Sequence, residues 1–135
     1  MGSITYVIDG RTFSSLEEFY EVLGDAIIPG VAWGQNLDAL NDILRGGFGT
    51  PPQGFRIHWT YSGVSRLRLG HTETVRQLER RLQRCHPSNR PAVAEQLALA
   101  RAGKGPTVFD WLIEIFASHG PSGQNPQSRV DLVLE

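Results

Sequence analysis

Two aspartates, Asp38 and Asp42, stand four residues apart in a run, Leu37 to Leu44, whose leucines Leu37, Leu40 and Leu44 recur at helical spacing. That spacing puts both carboxylates on one helix face, where like charges destabilise an isolated helix by a few tenths of a kcal/mol. Asp38 sits in the first turn and gains from the helix dipole; Asp42 is a turn further on and gains little. Two chemistries fit the pair. It is either a solvated face with Arg45 drawn to Asp42, which the residues alone favour, or an anionic surface kept for a cationic partner.

Asp110 and Glu114 repeat the four-residue spacing in a segment that is otherwise apolar, from Val108 to Phe116. They predict a narrow polar stripe that faces solvent or a partner. Arg76, Arg80 and Arg84, with Arg81 beside them, form a basic helix face able to touch RNA phosphates. No aromatic residue interleaves with these arginines. A solvated face, or packing against the protein's own acidic surface, is therefore the simpler reading, and a second contact with an acidic partner also fits. Trp33 reads as a half-buried loop anchor, although an aromatic beside acidic residues is also a hot-spot pattern. Trp59 and Trp111 are expected in the core.

Enzyme chemistry has little to build on here. His58, His71, His86 and His119 show no metal-ligand spacing and no flanking catalytic motif, so neither catalysis, a metal nor a cofactor is expected. The glycine- and proline-rich stretch from Gly46 to Gly54 lacks the Gly-Lys-Ser/Thr ending of a phosphate loop. Cys85 is the single cysteine, which rules out an internal disulfide and reads as a small buried apolar side chain.

The elements that position these residues are legible from periodicity. Ile4 to Ile8 is short, β-branched and aromatic, and Asp9-Gly10 closes it, so it predicts a buried strand. Ser14 or Ser15 caps a helix that carries Glu17 and Glu18, with Leu16, Phe19, Tyr20, Leu23 and Ile27 as its apolar stripe. Asn36 caps the helix over 37–44, and Gly46-Gly47 stops it. Phe55 to Trp59 alternates with period two.

Val75, Leu78, Leu82 and Cys85 predict one helix. Asn89-Arg90-Pro91 opens another, ended by Gly103, and the two read as a hairpin. Thr107 starts a last helix whose apolar side chains cover most of its circumference, and Gly120-Pro121 ends it. A polar loop through Gly123 to Ser128 leads to a closing strand, Val130 to Leu134. Strands separated by helices imply an α/β fold, a small three-stranded parallel sheet packed by helices, with an extra helical hairpin before the last helix.

The chain has 135 residues, 40% of them hydrophobic, enough to bury one core, so 1–135 is expected to be a single domain with roughly 62–104 as an inserted helical region. Its net charge of −1 conceals a division. Residues 1–55 hold two basic residues against seven acidic ones, a net of −5. Residues 56–104 hold ten against three, a net of +7. No apolar run approaches the roughly 20 residues of a membrane span, and no basic segment leads into an apolar one at the N-terminus. The cytoplasm is the expected location.

The run Trp33-Gly34-Gln35-Asn36-Leu37-Asp38-Ala39-Leu40-Asn41-Asp42-Ile43-Leu44 closely resembles the motif of the barstar family, intracellular inhibitors of barnase-type ribonucleases. The flanks agree: Val7-Ile8-Asp9-Gly10, Ser15-Leu16-Glu17, a strand ending in Trp59 and a closing helix-loop-strand. The resemblance covers about two-thirds of the chain. It implies a non-catalytic inhibitor surface, built from the helix over 37–44 and the loop before it, that covers the active site of a guanyl-preferring microbial ribonuclease while that secreted enzyme is still inside the cell.

Gly34 would shape the loop. Asp38 and Asp42 would replace substrate phosphate, with Asp42 central, and Glu114 would supply the acidic contact from the late helix. Trp33, Asn36, Asn41 and Arg45 complete the candidate contact set. The sequence departs from the family at Ala32 and Asn41, where barstar has a tyrosine and a tryptophan, and in the longer stretch from Tyr61 to Pro106. The alternative is a binding module of the same fold that meets RNA, or an RNA-handling protein, through the arginine-rich hairpin.

Overall fold

The computed structural model describes residues 4–45, 54–119 and 130–135. The stops expected at Gly46-Gly47 and Gly120-Pro121, the Gly46–Gly54 connection up to its last residue and the polar loop through Gly123 to Ser128 lie outside the described residues. Three strands, β1 (Thr5–Asp9), β2 (Phe55–Thr60) and β3 (Val130–Leu134), form a parallel sheet in the order β1-β2-β3. Ile8 pairs with Trp59 across β1 and β2, and Trp59 with Leu134 across β2 and β3. The period-two pattern of β2 places Phe55, Ile57 and Trp59 inward.

Helices α1 (Leu16–Ile27) and α2 (Leu37–Leu44) follow β1. The Ser15 side chain accepts the Glu18 amide at 3.1 Å, and the Glu18 carboxylate accepts the Ser14 amide at 2.9 Å, so the start of α1 is satisfied from both directions. Its buried residues include the stripe expected from spacing, Leu16, Phe19, Tyr20, Leu23 and Ile27. After β2 come α3 (Ser62–Arg68), α4 (His71–Arg84), a short 3-10 turn (Pro87–Asn89), α5 (Arg90–Arg101) and α6 (Val108–Ser118). The Thr107 hydroxyl and the Asp110 carboxylate cap α6 reciprocally.

The main core gathers Ile8, Phe13, Phe19, Leu40, Ile43, Ile57, Phe109, Leu112 and Phe116 around a fully buried Trp59. The Trp59 ring lies 5.3–5.8 Å from the rings of Phe13, Phe19 and Phe109, which gives its large apolar surface a neighbour on several sides. Its indole N–H donates to Ser65 Oγ at 3.0 Å, and Ser65 Oγ donates to the Gly10 carbonyl at 3.1 Å. A side chain at Gly10 would collide with Ser65 and with the Tyr61 and Thr60 carbonyls, so only glycine fits where the turn after β1 meets α3.

A second, smaller cluster of Leu78, Val93, Leu97 and Ala100 joins α4 to α5 as the expected hairpin, with Cys85 partly buried against it. Three expectations about the core need correction. β1 is not a buried strand: as an edge strand it buries Ile8, while Ile4, Thr5 and Val7 are exposed. Leu37 is only half-buried, and α2 turns Ala39, Leu40, Ile43 and Leu44 inward instead. Trp111 is also half-buried: it bridges the two clusters at the boundary between α6 and the hairpin, where one side of its ring stays open.

Candidate functional site

The loop before α2 is held from below. The Trp33 ring stands edge-on to Tyr20 at 5.4 Å, and its indole nitrogen comes so near Gly24 that a Cβ there would lie 2.8 Å away. Trp33 is therefore the half-buried loop anchor expected. Gln35 follows in the left-handed region at φ 49, an uncommon conformation for a residue with a side chain, and it turns the chain into the helix. Asn36 then caps α2: its side-chain oxygen accepts the Ala39 amide at 2.8 Å while its Nδ2 donates to the Gly34 carbonyl at 3.3 Å. A Cβ on Gly34 would press to 3.1–3.2 Å against Asn36 and Ala39, so the closeness of the loop to the first turn depends on glycine.

This cap aims the helix face. Asp38 and Asp42 are both exposed, one turn apart, and Glu114 is exposed on α6. None of these three side chains makes a hydrogen bond or ion pair with another described residue. Elsewhere the half-buried Asp9 pairs with Arg11 at 2.8 Å and the half-buried Glu17 with Arg76 and Arg80, whereas the exposed Glu21, Asp25, Glu79 and Glu95, like the candidate three, make no such contact among the described residues. Arg45, at the C-cap of α2, is exposed and takes part in the electrostatics of the site, since its charge reaches His119.

Asn41 behaves differently from the rest of the candidate set. It is half-buried and turned toward His119, whose Nε2 lies 2.9 Å from Asn41 Oδ1. The residue His119 is fully buried, accepts the Val130 amide through its carbonyl at 2.7 Å, and so ties α2, the end of α6 and β3 together. Its Nδ1 is buried and finds no partner among the described residues. Burial, and next the positive charge of Arg45, hold the imidazole below its usual range near 6.5. Sequence reasoning missed this contact, because a lone histidine after an apolar helix carries no spacing signal.

The basic helix lies beside the acidic one. A groove of about 500 Å³ runs between them, with Asn36 and Asp38 on one wall and Arg80, Arg81 and Arg84 on the other. Much of the basic stripe serves the protein itself, the simpler of the readings expected. Arg76 donates to Glu73 and Glu17, Arg80 lies 3.2 Å from Glu17, and the Arg81 guanidinium sits 5.2 Å over the Trp111 ring. Burial pushes the Glu17 carboxyl up, but hydrogen bonds from Arg76 and Gln77 and the charges of Arg76 and Arg80 outweigh it, leaving the group below the usual carboxylate range.

No group of three or more His, Cys, Asp or Glu side chains among the described residues is placed to hold a metal ion. No helix among them is long and apolar enough to cross a membrane. What the arrangement offers chemically is a rigid, capped helix presenting unpaired carboxylates, a surface suited to cationic groups. A search of curated proteins returns no match. The family described as barstar (barnase inhibitor) matches residues 4–93, a span running from β1 through α4 into α5 and including the whole of α2 with its loop. The three-stranded parallel sheet, the capped acidic helix and this match over most of the chain agree, and the chain belongs to the barstar family.

Proposed function

We propose that this chain is an intracellular inhibitor that blocks the active site of a barnase-like, guanyl-preferring secreted ribonuclease with α2 and the loop before it. One observation carries the reading: Asp38 and Asp42 are exposed and unpaired among the described residues, one turn apart on the capped helix that lies inside the family match, with the exposed Glu114 of α6 lining the groove beside Leu37. A ribonuclease cleft is cationic because it holds RNA phosphate, so carboxylates spaced one turn apart stand in for successive phosphates. Asp42 is central, Asp38 and Glu114 flank it, and Trp33, Gly34 and Asn36 set the loop. Arg45 closes the surface at the end of α2. Asn41 acts from behind, steadying the helix through His119. No catalytic step is required of this chain, and the cytoplasm, where RNA needs protection, is where it would act.

The test is RNA cleavage by a panel of purified barnase-type ribonucleases titrated with the protein. Stoichiometric loss of activity is expected for at least one enzyme. Full activity throughout, with the protein in excess, would sink the proposal. The reading in which the hairpin meets RNA rests on Arg84, Arg90, Arg101 and Lys104, which are exposed and make no ion pair among the described residues. Against it, no aromatic ring among the described residues stands beside these four cations, and the half-buried Trp111 is already covered by Arg81.

A further inference from the structure

The surface around α2 is not uniformly acidic. Asp38 on α2 and the Arg80, Arg81 and Arg84 side chains of α4 line one groove of about 500 Å³, floored by Leu16 and Tyr20 of α1. Arg81 also lines a second groove, of about 380 Å³, with Lys104, Trp111 and Glu114. Leu37 and Arg81 belong to both, so the two grooves share a ridge and together border the face that carries Asp38 and Glu114.

The charges on this border are unequally satisfied. The one carboxylate of α1 within reach, Glu17, is already held by Arg76, Gln77 and Arg80. Arg84 makes no ion pair with a described residue, and Arg81 has only the Trp111 ring beneath it. A wholly cationic partner laid on α2 would bring its positive groups against these guanidinium groups, and like-charge juxtaposition at an interface costs several kcal/mol.

We propose that the basic wall made by Arg81 and Arg84 receives a carboxylate-bearing segment at the rim of the partner ribonuclease, next to the cationic cleft that α2 fills. This rests on the inhibitor reading above and adds what that reading leaves open, namely which ribonuclease the chain selects: one whose cleft is cationic at the centre and acidic along the edge that meets α4. The repulsive element is built in. A ribonuclease with lysine or arginine along that edge is rejected by Arg81 and Arg84 even though α2 suits its cleft. The two missing aromatic anchors, at Ala32 and Asn41, make a second source of selectivity useful at this surface.

The experiment uses the full chain and each barnase-type ribonuclease that it inhibits. Arg84→Glu and Arg81→Glu are compared with wild type for inhibition constant, with the thermal midpoint as a control for folding. The expected result is a loss of about tenfold or more in inhibition for each reversal, an unchanged midpoint for Arg84→Glu, whose side chain has no ion pair among the described residues, retention by Arg84→Lys, and partial recovery when an acidic rim residue of the enzyme is changed to lysine. If Asp42→Ala abolishes inhibition while both arginine reversals inhibit like wild type, the basic wall has no role and this inference is overturned, with the inhibitor reading intact. If the wild-type chain inhibits no ribonuclease, the inhibitor reading fails and takes this inference with it. If a fluorescent single-stranded oligoribonucleotide binds the wild-type chain alone and releases on Arg84→Glu, the wall is an RNA contact and the inference is again overturned.

Discussion

The two charged helices that meet at the groove use their charges in opposite ways. In the first turns of α4 the charges are spent internally: Glu73 is buried, its carboxylate accepts the Leu16 amide at 2.9 Å and the Arg76 guanidinium at 2.7 and 2.8 Å, and Gln77 joins at 2.9 Å. This network fastens the first turns of α1 and α4 to each other. On α2 the inward contacts are apolar apart from Asn41 against His119, the cap is neutral, and Asp38 and Asp42 project with no described partner. Charges that hold a fold are enclosed and hydrogen-bonded, because an isolated buried charge is expensive and an exposed ion pair is worth little. The charges proposed to serve binding are left exposed, and the fold around them is stabilised by other means.

The largest expected effect tests the first half of this contrast. Glu73→Ala removes the carboxylate that pairs with Arg76 and leaves the Leu16 amide unsatisfied, and it is expected to lower stability by about 3 kcal/mol in urea denaturation. The fraction that remains folded should inhibit ribonuclease as wild type does. A Glu73→Ala protein as stable as wild type would mean that the α1–α4 seam is held by its apolar contacts alone.

The second half is tested by Asp42→Ala. It is expected to weaken binding by at least about 2 kcal/mol, because cationic groups of the enzyme would be left desolvated and unpaired. Stability should stay within about 0.5 kcal/mol of wild type, as for a surface change with no internal partner. Asp38→Ala and Glu114→Ala should weaken binding less. Equal effects of all three, or a large loss of stability in any, would break the distinction between the two helices.

Asn41 and His119 sharpen the contrast, since they lie behind the binding face and belong to the folding side. Asn41→Ala is expected to cost about 1–2 kcal/mol of stability by leaving the buried His119 Nε2 unpaired. Weakened binding at unchanged stability would instead make Asn41 a direct contact. The pH dependence follows from the lowered folded pKa of His119. As the pH falls below about 6.5 the unfolded chain takes up a proton that the folded chain resists, so the unfolded state binds more protons and stability drops. This contribution is fully present above about 6.5 and is lost as the pH falls through the folded value. His119→Gln, which keeps a donor toward Asn41, should flatten the slope of the melting midpoint in that window; an unchanged slope would place its origin elsewhere.

Much of the fold was legible because the residues that make it are local signals. Ser15 and Asn36 cap where expected, the α1 stripe is buried as spaced, and the alternation of β2 puts Trp59 at the centre of the core. The helix α3 was not legible. Ser62-Gly63-Val64-Ser65-Arg66-Leu67-Arg68 has no apolar stripe, and the segment is entered through Tyr61 in the left-handed region with no side-chain cap. It is held by Ser65 against Trp59 and Gly10, the latter 55 residues away in sequence. The candidate site divides in the same way. The face shared by Asp38 and Asp42 follows from a four-residue spacing, whereas the nearness of α4 to α2 depends on how the hairpin docks on Trp111, which no local pattern encodes.

The smallest expected effect concerns the approach of the partners rather than their final contact. An acidic helix facing a cationic cleft should raise the association rate above the roughly 10⁵–10⁶ M⁻¹s⁻¹ of unsteered pairs at low salt. The first 55 residues alone, with a net charge of −5, would predict strong steering. The structure sets the basic wall of α4 beside that charge, and the whole chain carries only −1, so the long-range field is partly cancelled. Steering should therefore be modest and act within about a Debye length, roughly 10 Å at 0.1 M salt, where Asp38 and Asp42 dominate what the enzyme senses. Stopped-flow mixing at increasing salt is expected to slow association by a factor of about 3–10, with dissociation changing less. Asp38→Asn, which keeps the shape of the face and removes one of its charges, should lower both the rate and its salt slope. A rate that is flat in salt, or a slope that Asp38→Asn leaves untouched, would mean that the partner does not approach through α2, and the contrast between the two helices would then describe folding alone.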